Sequence, residues 1–137
     1  MISEFAATQI EIGGIAGTLI LFFAMTIGHA LGDYPLQGSF LATGKNRHID
    51  KSTFFGGGEV SPILWVHSLT AHSLIQAGMV WIVTGSAFLA LAELVVHWMI
   101  DFVRCEKWIG FTLDQVLHLS CKLIYALILV SGMPLPF

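Results

Sequence analysis

Three histidine–aspartate pairs recur in this sequence with the same spacing of four residues. The pairs are His29 and Asp33, His97 and Asp101, and Asp114 and His118. Residues four positions apart project from the same face of an α-helix. Neutral imidazole and carboxylate groups are ligands that Zn, Fe and Mn accept. The spacing therefore predicts a divalent-metal site whose ligands come from several helices.

Two further histidines, His67 and His72, lie in another apolar stretch, so the set can serve one or two ions. The metal-ligand candidates are His29, His67, His97 and His118, with His72, Asp33, Asp101 and Asp114. The three aspartates are also candidates for orienting the ligands or for acting as a general base. Cys105 and Cys121 form no CxxC pair and are expected to pack as small apolar residues.

The composition is that of a membrane protein. Of the 137 residues, 55% are hydrophobic and 11% are charged, whereas soluble domains carry about 25% charged residues. A chain this short and this apolar cannot cover its surface with polar groups, so we expect the lipid bilayer to surround it. The net charge of −3 and the lack of a basic run argue against nucleic acid as a partner. The acidic start does not resemble a cleaved signal peptide.

Four apolar segments, each near the ~20 residues that cross a bilayer, predict membrane-spanning helices. They cover about residues 12–33, 62–84, 86–103 and 112–131. Pro35 ends the first, Pro62 suits the first turn of the second, and Gly85 and Ser86 leave a very short turn before the third. The expected fold is all-α: a polytopic membrane protein with one domain over residues 1–137, forming a four-transmembrane-helix bundle.

Outside these segments, the Lys and Arg side chains lie in two connections, 38–61 and 104–111. The positive-inside rule places both connections in the cytoplasm and both termini outside. This orientation brings the candidate histidines and aspartates to one depth near the cytoplasmic face. Glu93 and Lys122 lie one helical turn deeper and are candidates for an ion pair between the third and fourth segments.

Other functions account for fewer of these residues. A haem held by two histidines leaves the three aspartates unexplained, and a serine nucleophile lacks a GxSxG context. Ion transport lacks a continuous polar path through the outer halves of the first two segments. The main alternative is a non-enzymatic metal-binding module, or a small subunit of a homo-oligomer or membrane complex, whose polar cluster fixes helix packing. The small residues of "GGIAG" and "AFLALA" would allow close helix approach.

The order of the polar motifs resembles that of a known family. "HALGDYPLQ", Lys45, "HSLTAH", "HWMID" and "DQVLH" follow one another as in the domain of unknown function 3307 family, over about residues 25–125. That family consists of small bacterial and phage inner-membrane proteins loosely similar to membrane-bound, metal-dependent hydrolases. The resemblance implies a multi-pass protein of the bacterial inner membrane with hydrolase activity. The motif positions are His29, Asp33, Gln37, Lys45, His67, His97, Asp101, Asp114, Gln115 and His118.

These observations predict a metal-dependent hydrolase at the cytoplasmic membrane face. Zn is the favoured ion, with Mn or Fe as alternatives, because the ligands are imidazoles and carboxylates. The candidate catalytic residues are Asp33, Asp101, Asp114 and Lys45. Lys45, Arg47 and Lys51 are expected to hold an anionic substrate such as a phosphoester or lipid headgroup.

Overall fold

The computed structural model describes residues 1–52 and 56–136 of the chain. Over these residues the protein forms six α-helices and no β-strand. The helices are α1 (Glu4–Ile12), α2 (Gly14–Asp33), α3 (Gly38–Gly44), α4 (Leu64–Thr84), α5 (Ala87–Cys105) and α6 (Phe111–Val130). The predicted all-α class is therefore confirmed for this part of the chain. Part of the connection 38–61, residues 53–55, lies outside the described residues.

The four long helices occupy the four apolar segments. α4, α5 and α6 begin and end within two residues of the predicted bounds. α2 begins at Gly14 because Gly13, with φ of +65°, ends α1 immediately before it. A β-carbon is disfavoured at this φ, so glycine suits the break.

Two short helices, α1 and α3, are not predicted by the hydropathy pattern. Ser3 caps α1 by accepting a hydrogen bond from the Ala6 amide at 3.0 Å. The Ser3 amide also donates to the Thr84 carbonyl at 3.0 Å, which ties the start of α1 to the end of α4. The second contact is tertiary, and a periodicity within one segment does not reveal it.

The four long helices pack so that each contacts two of the others. α4 lies along α5 over the largest interface, α2 contacts α4 and α6, and α5 also contacts α6. Gly85 makes the turn from α4 to α5 in the left-handed conformation, with φ of +73°. Ser86 then caps α5 by accepting from the Leu89 amide at 3.3 Å. α1 packs at the end that contains this turn, and α3 packs on α4.

The interior has an apolar half and a polar half. The apolar half lies near α1 and consists of Ala6, Leu21, Met25, Val80, Leu89, Tyr125, Ala126 and Leu129. The polar half contains the buried side chains His29, His72, Gln76, Glu93, His97, Asp101, Asp114, His118 and Lys122. The fold therefore places most of the predicted functional side chains inside the protein.

Among the described residues, α2 and α6 are the helices long and apolar enough to cross a membrane, with 20 residues each. α4 and α5 carry several His, Ser and charged side chains. The predicted set of four spans is not confirmed. Apolar core helices of soluble proteins pass the same test, so two such helices are weak evidence for association with a membrane.

Candidate metal centre

The polar half of the interior is built by α2, α4, α5 and α6 at one level of the fold. Along each helix the inward polar residues are four positions apart, so they share a face. We call this set the His–Asp cluster: His29 and Asp33, His72 and Gln76, Glu93, His97 and Asp101, and Asp114, His118 and Lys122.

Four of the predicted histidines come together in the His–Asp cluster. The ring centroid of His97 lies 4.0 Å from that of His118, 5.0 Å from that of His72 and 5.7 Å from that of His29. The rings of His29 and His118 are 5.1 Å apart. All four residues are at most 3% exposed. Imidazoles on four different helices therefore face a single interior site.

Two carboxylates lie between these imidazoles. Asp33 places Oδ1 3.4 Å from His72 Nε2 and Oδ2 3.4 Å from His29 Nε2. Asp101 places Oδ2 3.4 Å from His72 Nε2 and Oδ1 3.4 Å from His118 Nε2. Each of these aspartates therefore turns its two oxygens toward different histidines.

Three groups of side chains have candidate ligand atoms within 4.8 Å of one another. The groups are Asp33, His72 and His97; Glu93, His97 and His118; and Asp101, Asp114 and His118. Asp114 Oδ1 reaches the last group at 3.6 Å from His118 Nε2. These sets of nitrogen and carboxylate oxygen atoms have the chemistry of a divalent-metal site.

Hydrogen bonds to Nδ1 fix the orientation and the protonated nitrogen of two imidazoles, those of His97 and His29. His97 Nδ1 lies 3.0 Å from Glu93 Oε1, a carboxylate oxygen, so Nδ1 carries the proton. Gln76 uses its amide nitrogen to donate to Asp33 Oδ1 at 2.6 Å, which turns its carbonyl oxygen toward His29 Nδ1 at 3.3 Å. His29 Nδ1 must therefore donate as well. In the neutral rings, the Nε2 atoms of His29 and His97 present lone pairs to the centre of the cluster.

Several polar atoms of the cluster have no hydrogen-bond partner among the described residues. They are His29 Nε2, His72 Nδ1, Glu93 Oε2 and Asp114 Oδ1. A buried polar atom without a partner costs about 1–3 kcal/mol. His29 Nε2 and Asp114 Oδ1 both face other ligand-type atoms, and a bound cation would compensate them.

Two ammonium groups balance part of the negative charge. Lys122 forms a buried ion pair with Glu93 between α6 and α5, as the sequence suggested. Lys45, just after α3, contacts Asp101 Oδ2 at 2.6 Å and Gln37 Oε1 at 2.7 Å. With neutral histidines, the four carboxylates of the cluster and these two lysines leave two negative charges. One divalent cation would neutralise them.

The structure does not bring His67, a predicted ligand, into the cluster. His67 is exposed and belongs to none of the groups of potential ligands, whereas His72 is fully buried among them. The two residues are five positions apart, which separates their directions by about 140° around a helix. Only one of them can face the interior, and the packing of α4 selects His72.

A cleft of about 390 Å³ opens beside the cluster. Its wall contains the cluster residues Asp33, Asp101 and Asp114, together with Lys45 and Arg104. The predicted catalytic residues therefore all border this cleft, with Lys45 as a cation at its edge. We call it the cluster cleft.

Two of the basic residues expected to bind an anion have other contacts. Arg47 forms an ion pair with Glu106 at 2.8 Å, and its guanidinium lies over the rings of Trp65 and Phe102. The hydrogen bonds from Arg47 hold the pKa of Glu106 below its usual range. Lys51 donates to a nearby carbonyl at 3.1 Å. Neither side chain lines the cluster cleft.

Gln76 and Glu93 have larger roles than the sequence analysis gave them. Gln76 was overlooked, although it follows His72 by four residues. Glu93 precedes His97 by the same spacing and accepts its hydrogen bond. The four-residue spacing that marks the histidine–aspartate pairs therefore also marks the residues that orient the imidazoles. Both cysteines are free thiols, and Cys105 is buried.

Fold and site together define an all-α protein with a buried cluster of histidines and carboxylates. The family described as "Protein of unknown function (DUF3307)" matches residues 21–134, and the chain belongs to this family. The match covers all ten residues of the cluster. Comparisons with curated proteins and with solved structures gave no match.

Proposed function

We propose that the protein is a metal-dependent hydrolase embedded in the bacterial inner membrane, acting on a phosphoester such as a lipid headgroup. The observation that carries this proposal is the meeting of imidazole lone pairs and carboxylates at one buried site. His29 Nε2 faces Asp33 Oδ2 at 3.4 Å and has no hydrogen-bond partner among the described residues. A lone pair facing a carboxylate is repulsive unless a cation or proton lies between them.

The distribution of apolar side chains supports a membrane location for all four long helices. Each long helix turns large apolar residues outward, and its ionisable groups are buried or partly buried, except His67 of α4. The outward residues include Leu19, Phe23, Leu74, Ile82, Leu91, Val95, Met99, Val116, Ile124 and Leu127, all more than half exposed. A soluble monomer rarely exposes apolar surface on this scale, whereas intramembrane polar groups face the interior of a bundle. We therefore propose four spans, α2, α4, α5 and α6.

Zinc suits this donor set best, because structural and catalytic zinc sites use imidazole nitrogen and carboxylate oxygen. Mn and Fe accept the same ligands. The histidines and Asp33 and Asp101 would hold the ion, which supplies Lewis-acid activation of water at neutral pH. Asp114 borders the cluster cleft with an unpartnered oxygen 3.6 Å from His118 Nε2, so it would complete the ligand set on the side that a water can reach.

The cluster cleft suits an anionic substrate at a membrane surface. Lys45 and Arg104 supply positive charge at its wall, and Lys45 Nζ already lies against a carboxylate oxygen. Tyr34 and Phe111, both more than half exposed, add apolar surface to the same cleft. A phosphoester on a lipid would place its phosphate near the lysine and its chains along the helices.

The test is metal content combined with hydrolysis. Protein purified in mild detergent is expected to contain zinc, manganese or iron and to hydrolyse a generic phosphoester. His97→Ala removes a ligand, so bound metal and activity should both fall sharply at equal yield. Asp101→Asn keeps the shape but removes charge, and should weaken metal affinity about 10–100-fold with the fold retained. His67→Ala is the matched control, because this exposed histidine on α4 lies outside the cluster.

The alternative is a metal-binding module or small membrane subunit in which the cluster only fixes helix packing. The buried Glu93–Lys122 pair favours this alternative, because it links α5 to α6. Packing alone predicts that Asp101→Asn is nearly silent, since hydrogen bonds between membrane helices average about 0.6 kcal/mol. Wild-type protein that holds no metal and cannot be reloaded with Zn, Mn or Fe would overturn the hydrolase proposal. Metal without hydrolysis would favour the module.

A further inference from the structure

We infer that the His–Asp cluster holds two divalent ions, bridged by the carboxylates of Asp33 and Asp101. This inference rests on the proposed metal site and specifies its architecture. The two aspartates each direct one oxygen to each side of the cluster, and the histidines divide between the sides. We name the sides the inner subsite and the cleft subsite.

The inner subsite is formed by His72 Nε2, His97 Nε2, Asp33 Oδ1 and Asp101 Oδ2. His72 Nε2 lies 3.1 Å from His97 Nε2 and 3.4 Å from each of the two oxygens. Both histidines are fully buried. Glu93 fixes the proton of His97 on Nδ1, so that Nε2 offers a lone pair here. Two imidazole nitrogens and two carboxylate oxygens make a complete set of four zinc-type ligands.

The cleft subsite is formed by His29 Nε2, His118 Nε2, Asp114 Oδ1 and the second oxygens of Asp33 and Asp101. His118 Nε2 lies 3.4 Å from Asp101 Oδ1 and 3.6 Å from Asp114 Oδ1. His29 Nε2 lies 3.4 Å from Asp33 Oδ2. His29 Nε2 and Asp114 Oδ1 have no hydrogen-bond partner among the described residues, and both belong to residues at most 4% exposed.

An amide from α6 joins the carboxylates of the cleft subsite. Gln115 Nε2 donates to Asp33 Oδ2 at 3.1 Å and to Asp114 Oδ2 at 3.2 Å. It leaves Asp114 Oδ1 directed at His118. The two subsites therefore have different histidines, share both bridging aspartates, and are oriented by different neighbours. Hydrolases with two ions use such a pair to hold both the attacking and the leaving oxygen.

Charge predicts that the two ions bind with different affinity. Asp33, Asp101 and Asp114 carry three negative charges, and Lys45 supplies one positive charge. The first divalent ion therefore neutralises the site, and the second makes it positive. The affinity for the second ion should increase when inorganic phosphate is present, because the phosphate supplies negative charge that balances this ion.

The experiment is a Mn²⁺ titration of detergent-purified, metal-stripped protein followed by electron paramagnetic resonance, with and without inorganic phosphate. Wild-type protein should bind two ions per chain, show the spectrum of an exchange-coupled pair, and bind the second ion more tightly with phosphate. His29→Ala and His72→Ala each remove one subsite, so each should bind one ion and lose the coupling. His67→Ala should keep both ions. His29→Gln and His72→Gln, which retain more of the side-chain volume, replace any alanine variant that does not fold.

The outcomes separate this inference from the proposed function. Wild-type protein that binds no ion overturns both. A single ion in wild-type protein, lost from the His29 and the His72 variant alike, overturns the two-ion architecture and leaves the metal-dependent hydrolase standing. Two ions that are both retained in either variant overturn the assignment of ligands to subsites.

Discussion

The chemistry of the cluster depends on residues that do not face its centre. Glu93 and Gln76 hold the ring protons of His97 and His29 away from the site. Lys122 in turn holds Glu93 as a carboxylate in a place where an unpaired charge is costly. Outer partners of this kind raise the basicity of an imidazole ligand and fix its orientation. In the proposed metal site, the Glu93–Lys122 pair would therefore position His97 as well as link α5 to α6.

Removing one partner of this pair should destabilise the protein more than removing both. Lys122→Met leaves the Glu93 carboxylate buried and unpaired, so we expect a loss of about 3–5 kcal/mol. The double variant Glu93→Gln, Lys122→Met removes both charges and should regain most of that stability. It should still bind metal about 10–100-fold more weakly, because His97 has lost its carboxylate partner. Thermal unfolding in detergent and metal titration measure the two effects separately.

If Lys122→Met and the double variant unfold at the same temperature, the charges of Glu93 and Lys122 do not stabilise each other. Unchanged metal affinity in the double variant would show that Glu93 does not position His97. Glu11→Gln serves as a control, because Glu11 is an exposed glutamate of α1 that lies outside the cluster.

At the scale of helices, the site depends on how closely α2 approaches α4. A β-carbon at Gly32 would lie 2.7 Å from Gln76 Cδ and 3.0 Å from Gln76 Oε1, well inside normal contact. Gly32 therefore makes room for the amide that contacts both His29 and Asp33. On the opposite flank, Lys45 and Arg47 tie the segment after α3 to the end of α5 through Asp101 and Glu106.

Gly32→Ala should weaken metal binding, because it displaces Gln76 from His29 and Asp33. We expect a reduction of about 10–100-fold, as for the loss of other partners of metal ligands. Gly78→Ala is the matched control: it is also a helical glycine, and its β-carbon would meet nothing within 4 Å. Both substitutions gain up to about 1 kcal/mol of helix propensity. The difference in metal affinity between the two variants therefore reports the contact of the new β-carbon with Gln76. Metal titration of both variants measures these affinities, and equal affinities would contradict this role for Gly32.

The sequence predicts the long helices well because each is a continuous apolar segment of about 20 residues. The four-residue spacing also predicts which histidine and aspartate share a helix face, and the structure places all three pairs in the cluster. Spacing alone could not choose between His67 and His72, since that depends on how α4 rotates against its neighbours. It also could not place Lys45, whose partner Asp101 is 56 residues away.

For the molecule as a whole, charge is segregated between its two ends. Of the six Lys and Arg residues, five lie at the end that contains the cluster cleft, and Lys122 lies inside the fold. The opposite end holds the α4–α5 turn, to which the amino terminus is tied by the Ser3–Thr84 hydrogen bond. Residues near both termini, Met1 and Met133, line one cleft there. The two termini therefore lie at the same end, away from the basic connections.

For the proposed location in a bacterial inner membrane, this asymmetry predicts the orientation of the chain. Lys and Arg in short connections are retained in the cytoplasm, so the cluster cleft should face the cytoplasm and both termini should lie outside. A reporter that is active only outside the cytoplasm should work when fused after the last residue. The same reporter inserted at Gly57, in the basic connection between α3 and α4, should be silent. A carboxyl-terminal reporter active only in the cytoplasm would reverse the orientation and turn the cleft to the outer side. Activity of a cytoplasmic reporter at both positions would show that the chain does not span the membrane with the four helices proposed.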